Sequence, residues 1–271
     1  MLARIGHWVA LIAGVFVAPL AAQEPPTESE SAAIALALQR GEALYRHDQA
    51  AWHTTDAMLE DVRNPGAKRV RGWIINDVPK GHEAVFYRPI DGGFEAVWSG
   101  VYDGKKVRQK TEYPAGARIL TAAEATKAVA SRLPVNEEMQ RCSQKPFNTV
   151  VLPTGKSDGS LYVYYLVPQE SLDTMPFGGH YRYEVKDGEI VGSRKFTNSC
   201  ITMGNRGPND EKPVATTISH SLDPTPTEIH VFAMFALDLS VAVLATQSDK
   251  VWMIQNTREG PIIGTLARSN N

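Results

Sequence analysis

The chain has 271 residues, with 28 Lys and Arg against 30 Asp and Glu, a net charge of −2. A near-neutral, slightly acidic balance excludes the basic face that nucleic-acid binding or polybasic membrane attachment requires. The length fits one large domain or two small ones sharing a sheet.

The N-terminus predicts export. Arg4 and His7 make a short polar lead, an uncharged apolar run follows from Trp8 to Ala22, and Leu20-Ala21-Ala22 offers small residues before Gln23. That is the tripartite layout of a secretory signal peptide over residues 1–22, and the run is too short for a spanning helix of about 18 to 20 residues. Cleavage after Ala22 leaves a product with 27 basic and 30 acidic residues, a net charge of −3, since Arg4 is the only ionisable Lys, Arg, Asp or Glu removed. The expected location is periplasmic or secreted, with no integral membrane segment once the leader is gone.

Residues 23–28, bearing Pro25-Pro26, read as a linker. From 29 to about 60, Ile34, Ala37, Leu38, Gly41, Leu44, Tyr45, Asp48 and Trp52 recur at three- and four-residue steps, which predicts a helix with one mainly apolar face. Ser29 or Ser31 supplies a cap, and Asn64-Pro65-Gly66 ends the segment. Gly41 weakens this helix by about 1 kcal/mol relative to Ala.

Beyond Lys68 the hydrophobic period becomes two, and Asp-Gly pairs at 91–92, 103–104, 158–159 and 187–188 punctuate strand-like runs. Asp187-Gly188 should turn a two-residue hairpin, pairing Val185 with Ile190 and Tyr183 with Gly192. Trp98 shares an alternating face with Phe94 and Ala96, which places it in a core. Thr121-Ala122-Ala123-Glu124 is a capping-box sequence for a second helix over 121–132, stopped by Pro134. Strands are expected at 147–153, 160–168, 180–186, 189–197, 214–221, 228–236, 240–246, 250–256 and 261–266. Leu161–Val167 is apolar on both faces and should be covered on both. The apolar stretch 229–245 reads as two buried strands turning near Leu237–Ser240, with a buried helix as the alternative. Asp238 at its centre argues against a membrane span. The fold class is therefore α+β, two helices each followed by an antiparallel meander, with strand in excess. The units are residues 29–118 and 119–271, joined in one globular body.

Cys142 and Cys200, the only cysteines, form one pair in an oxidising compartment and predict a disulfide. Closing a loop across 58 positions is worth about 4 kcal/mol in the chain-entropy account. No Gly-x-Ser-x-Gly, His-Glu-x-x-His or Cys-x-x-Cys occurs. Gly155-Lys156-Ser157 lacks the upstream glycine of a phosphate loop and reads as a hairpin turn.

One constellation stands out. A turn through Asp223–Thr227 brings His220 opposite His230, with Glu228 two residues from His230 on the same strand face. Two imidazoles and a carboxylate are a donor set for zinc with an open position. Trp52, Trp73, Trp98, Tyr102 and Trp252 are candidates either for a ligand cleft or for core. With no catalytic motif, the expected function is binding of a small molecule or an envelope protein partner, without a cofactor. The alternative is a zinc-dependent periplasmic hydrolase built on His220, Glu228 and His230.

Overall fold

The computed structural model describes residues 25–133, 139–171, 173–204, 206, 211, 213–248 and 250–266. The proposed leader, and residues 23 and 24 of the linker, lie outside them.

Helix α1 (Glu28–Asp61) opens on a capping box at Thr27, two residues before the nearer of the expected serines. The Thr27 hydroxyl accepts the Glu30 N–H at 3.2 Å, and the Glu30 carboxylate accepts the Thr27 N–H at 2.7 Å. Strands β1 (Gly72–Val78), β2 (Gly81–Ile90), β3 (Gly93–Tyr102) and β4 (Val107–Glu112) form an antiparallel meander. Helix α2 (Ala122–Ala130) begins with the expected box at Thr121 and Glu124. A second antiparallel sheet follows in the order β5 (Asn148–Pro153), β6 (Leu161–Leu166), β8 (Tyr181–Lys186), β9 (Glu189–Lys195). The short strands β7 (Thr174–Pro176) and β10 (Thr202–Gly204) pair beside it. Last come β11 (Ala215–His220), α3 (Glu228–Leu237), β12 (Ser240–Ala245), β13 (Val251–Thr257) and β14 (Gly260–Leu266). Among the described residues strand exceeds helix, 40% to 23%, so the class is α+β.

Three sequence expectations are corrected. The described residues form three helices, not two, because 228–237 is helical and not a strand. This segment is apolar on nearly every side and is buried between α1 and the β11–β14 sheet, so no helical stripe marks it out. Asp238 ends it in the left-handed conformation, φ 51°, where it is a helix stop and not a strand turn. The helix makes β11 and β12 a parallel pair, a βαβ unit inside an otherwise antiparallel fold. Second, the Asp187-Gly188 hairpin pairs Val185 with Ile190 as expected, but a bulge then pairs Glu184 with Gly192 and Tyr183 with Ser193. Third, a bulge pairs Phe86 with Trp98 but Tyr87 with Ala96. Trp98 is fully buried on the face opposite Ala96 and Phe94, where its indole N–H donates to Asp61.

The first and second sheets are each covered on both faces. On the first, Ile75, Phe86 and Trp98 pack under the C-terminal half of α1, while Ile74, Val85 and Tyr87 pack with Leu120 and Ala128 on the other side. In the second, every β6 residue is buried: Tyr162, Tyr164 and Leu166 face the N-terminal half of α1 and α3, and Leu161, Val163 and Tyr165 face outward onto Ala130 and Met139. Helix α1, about 50 Å long at 1.5 Å per residue, thus contributes to two cores. Gly41 explains itself here, because a Cβ would lie 2.5 Å from Val231 Cβ and 2.7 Å from the Glu228 carbonyl oxygen. The missing side chain lets α3 cross α1 closely.

Cys142 and Cys200 are joined in a disulfide, their Cα atoms 5.4 Å apart. Among the described residues, no helix is long and apolar enough to cross a membrane.

Candidate functional site

The first and second sheets meet under α1 along β1 and β5, and a cleft opens at each end of that contact. Because successive helical positions point about 100° apart, neighbouring residues His47 and Asp48 serve different clefts.

The first cleft, about 430 Å³, is walled by Trp52 of α1 and Trp73 of β1, with Asp48 at its side and the amides of Asn148 and Gln169 opposite. A smaller hollow of about 130 Å³ shares Asp48, Trp52, Asn148 and Gln169 and adds Gln49. Burial pushes the Asp48 carboxyl up to about 6. Glu170, at the rim, accepts from the Ser143 hydroxyl at 2.5 Å. No Lys, Arg or His lines either cavity among the described residues. The Trp52 ring is 46% exposed and stacks on His53, which stacks in turn on Tyr102, with centroids 5.3 and 4.6 Å apart. Of the aromatic candidates, Trp52 and Trp73 therefore face a cleft, whereas Trp98 and Trp252 are core. Asp48 and Trp52 continue the apparent apolar stripe of α1, but the buried face past Leu44 runs instead through His47, Ala51, Thr54 and Met58.

The second cleft is a groove of about 970 Å³ between α1, the β1–β2 hairpin and the β5–β6 hairpin that carries Gly155-Lys156. One carboxylate oxygen organises its wall. Asp77 Oδ1 lies 3.0 Å from His47 Nε2 and 2.9 Å from His82 Nδ1. Hydrogen bonds from the two imidazoles, His47 first, hold the Asp77 carboxyl well below the usual carboxylate range. Burial, then repulsion from His47, lowers the His82 pKa. Asp77 and His82 are register partners across the hairpin, and His47 reaches them from a helix 30 positions earlier. The signal available in sequence was a histidine on the apolar face of α1, a residue type that needs a partner when buried.

The sequence-derived set of His220, Glu228 and His230 is brought together only in part. The two rings meet edge to face, centroids 4.7 Å apart. Glu228 begins α3 and points its carboxylate at Arg182 and, at 3.2 Å, the Tyr164 hydroxyl. His220 Nε2 bonds to Asp223 at 2.8 Å, and His230 Nδ1 accepts the Thr227 N–H at 3.0 Å. Burial drives the His230 pKa down to about 3, so this ring is neutral at pH 7.

No protein-family model matches the sequence, and comparison with curated proteins and with solved structures gives no significant match.

Proposed function

We propose that this is an exported ligand-binding protein of the periplasm or extracellular space, and that its ligand is a small organic cation held in the Asp48–Trp52–Trp73 cleft. The observation that carries the reading is the charge of that cleft. Two indoles flank a desolvated carboxyl, and no basic residue balances it among the described residues. Aromatic faces attract cations through their quadrupole, and a carboxylate in the same low-dielectric space adds a direct counter-charge. A bound ammonium would favour the ionised form of Asp48 and reverse the effect of its burial. Export is supported by the signal-like leader and by the disulfide, a cross-link characteristic of oxidising compartments.

Calorimetric titration with choline and with its uncharged isostere 3,3-dimethylbutan-1-ol tests the proposal. Choline should bind and the alcohol should bind at least tenfold more weakly. Asp48→Asn and Trp52→Ala should each weaken choline binding by a similar factor. Equal affinity for the charged and neutral compounds, or no binding of either, would overturn the cation reading.

A further inference from the structure

We infer that His47, Asp77 and His82 form a binding site for a divalent first-row transition cation, of the zinc or ferrous class, opening onto the groove beside α1. The site is separate from the indole cleft and does not depend on its ligand.

Geometry carries the inference. Among the described residues, these three supply a group of potential ligand atoms that lie within 4.8 Å of one another. Ligand atoms about 2.0 to 2.2 Å from a tetrahedral zinc ion stand about 3.4 Å apart. His47 Nε2 and His82 Nδ1 stand 3.0 and 2.9 Å from Asp77 Oδ1, so an outward shift of a few tenths of an ångström makes room for the ion. The Asp77 side chain, 70% exposed, is free to make that shift. The other two parts are fixed. His47 is 3% exposed on a long helix, and the hairpin is pinned at Gly81, φ 135°, where a Cβ would lie 2.1 Å from the Tyr102 carbonyl oxygen.

The donor chemistry agrees. Two imidazoles and one carboxylate suit zinc or ferrous iron, and three protein ligands leave positions open toward the groove. His47 Nδ1 is buried without a partner, so the ring's polar interaction is made entirely at Nε2, on the groove side. Basic residues in the groove are largely compensated: Arg46 pairs with Glu42, Lys156 pairs with Glu184, and Arg40 lies over the Tyr162 ring.

The test is titration of the tag-free full-length chain with Co²⁺, read by its visible absorption, followed by displacement with Zn²⁺. One equivalent should bind per chain. His82→Ala and Asp77→Asn, both at the solvent side of the hairpin and checked for an unchanged thermal melt, should each weaken Co²⁺ binding at least tenfold. His53→Ala should bind as the unaltered chain does. His47→Ala is the more direct change but removes a buried ring, so the two hairpin variants decide. Absence of stoichiometric uptake, or uptake unaffected by both hairpin variants, overturns the site.

Discussion

Two groups in this protein place a pair of imidazoles around an aspartate, and they put the same chemistry to different ends. Around Asp223, the carboxylate oxygen that meets His220 also takes the Arg194 guanidinium at 2.6 Å, and His230 spends Nδ1 on the start of α3. His220 and His230 are 2% and 3% exposed. Among the described residues no guanidinium bonds Asp77, both imidazoles share one of its oxygens, and the carboxylate stands in an open groove. The first group fastens a helix terminus to the ends of strands. The second leaves its carboxylate, 70% exposed, in reach of solvent. Residue type alone does not separate binding from architecture; what else the carboxylate holds does.

The largest effect expected from this contrast is at Glu228. Replacing it with Gln leaves the Arg182 guanidinium buried without its counter-charge, between Tyr162 and Tyr164. Removing one partner of a buried pair costs about 3 to 5 kcal/mol. Urea unfolding should register that loss, and a change below about 1 kcal/mol would remove the architectural reading of this end of the molecule.

Acid should come next. Burial lowers His180 to about 4 and His230 to about 3, against about 6.5 unfolded. The unfolded chain therefore takes up protons first, and stability present above pH 6.5 is lost as pH falls toward 4 and 3. By pH 5 each imidazole accounts for about 2 kcal/mol. Asp48 works in the opposite sense, because a carboxyl raised to about 6 relieves the fold when it is protonated. Thermal melts at pH 7 and pH 5 should thus show a net fall that Asp48→Asn enlarges. A melting temperature that rises on acidification would show the two histidines to be solvated in the folded state.

The smallest effect belongs to the groove. Asp77→Asn should alter unfolding free energy by no more than about 1 kcal/mol, since the carboxylate is 70% exposed and interactions of exposed charges are worth little. Losses as large as that of Glu228→Gln would make Asp77 as structural as Asp223 and dissolve the comparison.

The parts of the fold legible in sequence are those set by local chemistry. The Thr121–Glu124 box, the Asp187-Gly188 turn and the doubly buried β6 needed only nearby residues. Helix α3 did not, since a run apolar on every side has no period to read until its surroundings are known. Bulges at β2–β3 and β8–β9 were invisible for a related reason: they reassign faces without changing composition. At the sites, sequence brought His220 to His230 but could not foresee that Arg182 holds Glu228, because β8 and α3 meet only through tertiary packing. It missed the Asp77 group because a helix and a hairpin contribute one histidine each.

The dual role of α1 also bears on the order in which the protein can assemble. The C-terminal half of this helix finds its partners in β1–β3, within the next 60 or so positions of chain. Its N-terminal half waits for α3, and Glu30 for Lys250, 220 residues away. Loop-closure entropy makes contacts between such distant segments late and slow. During synthesis, then, the first sheet can close on half of α1 while Ile34, Ala37 and Leu44 wait first for β5 and β6 and are fully covered only when α3 has emerged. Those three side chains are the surface a holding chaperone would meet, and the nascent protein is most prone to aggregate in the interval before α3 arrives.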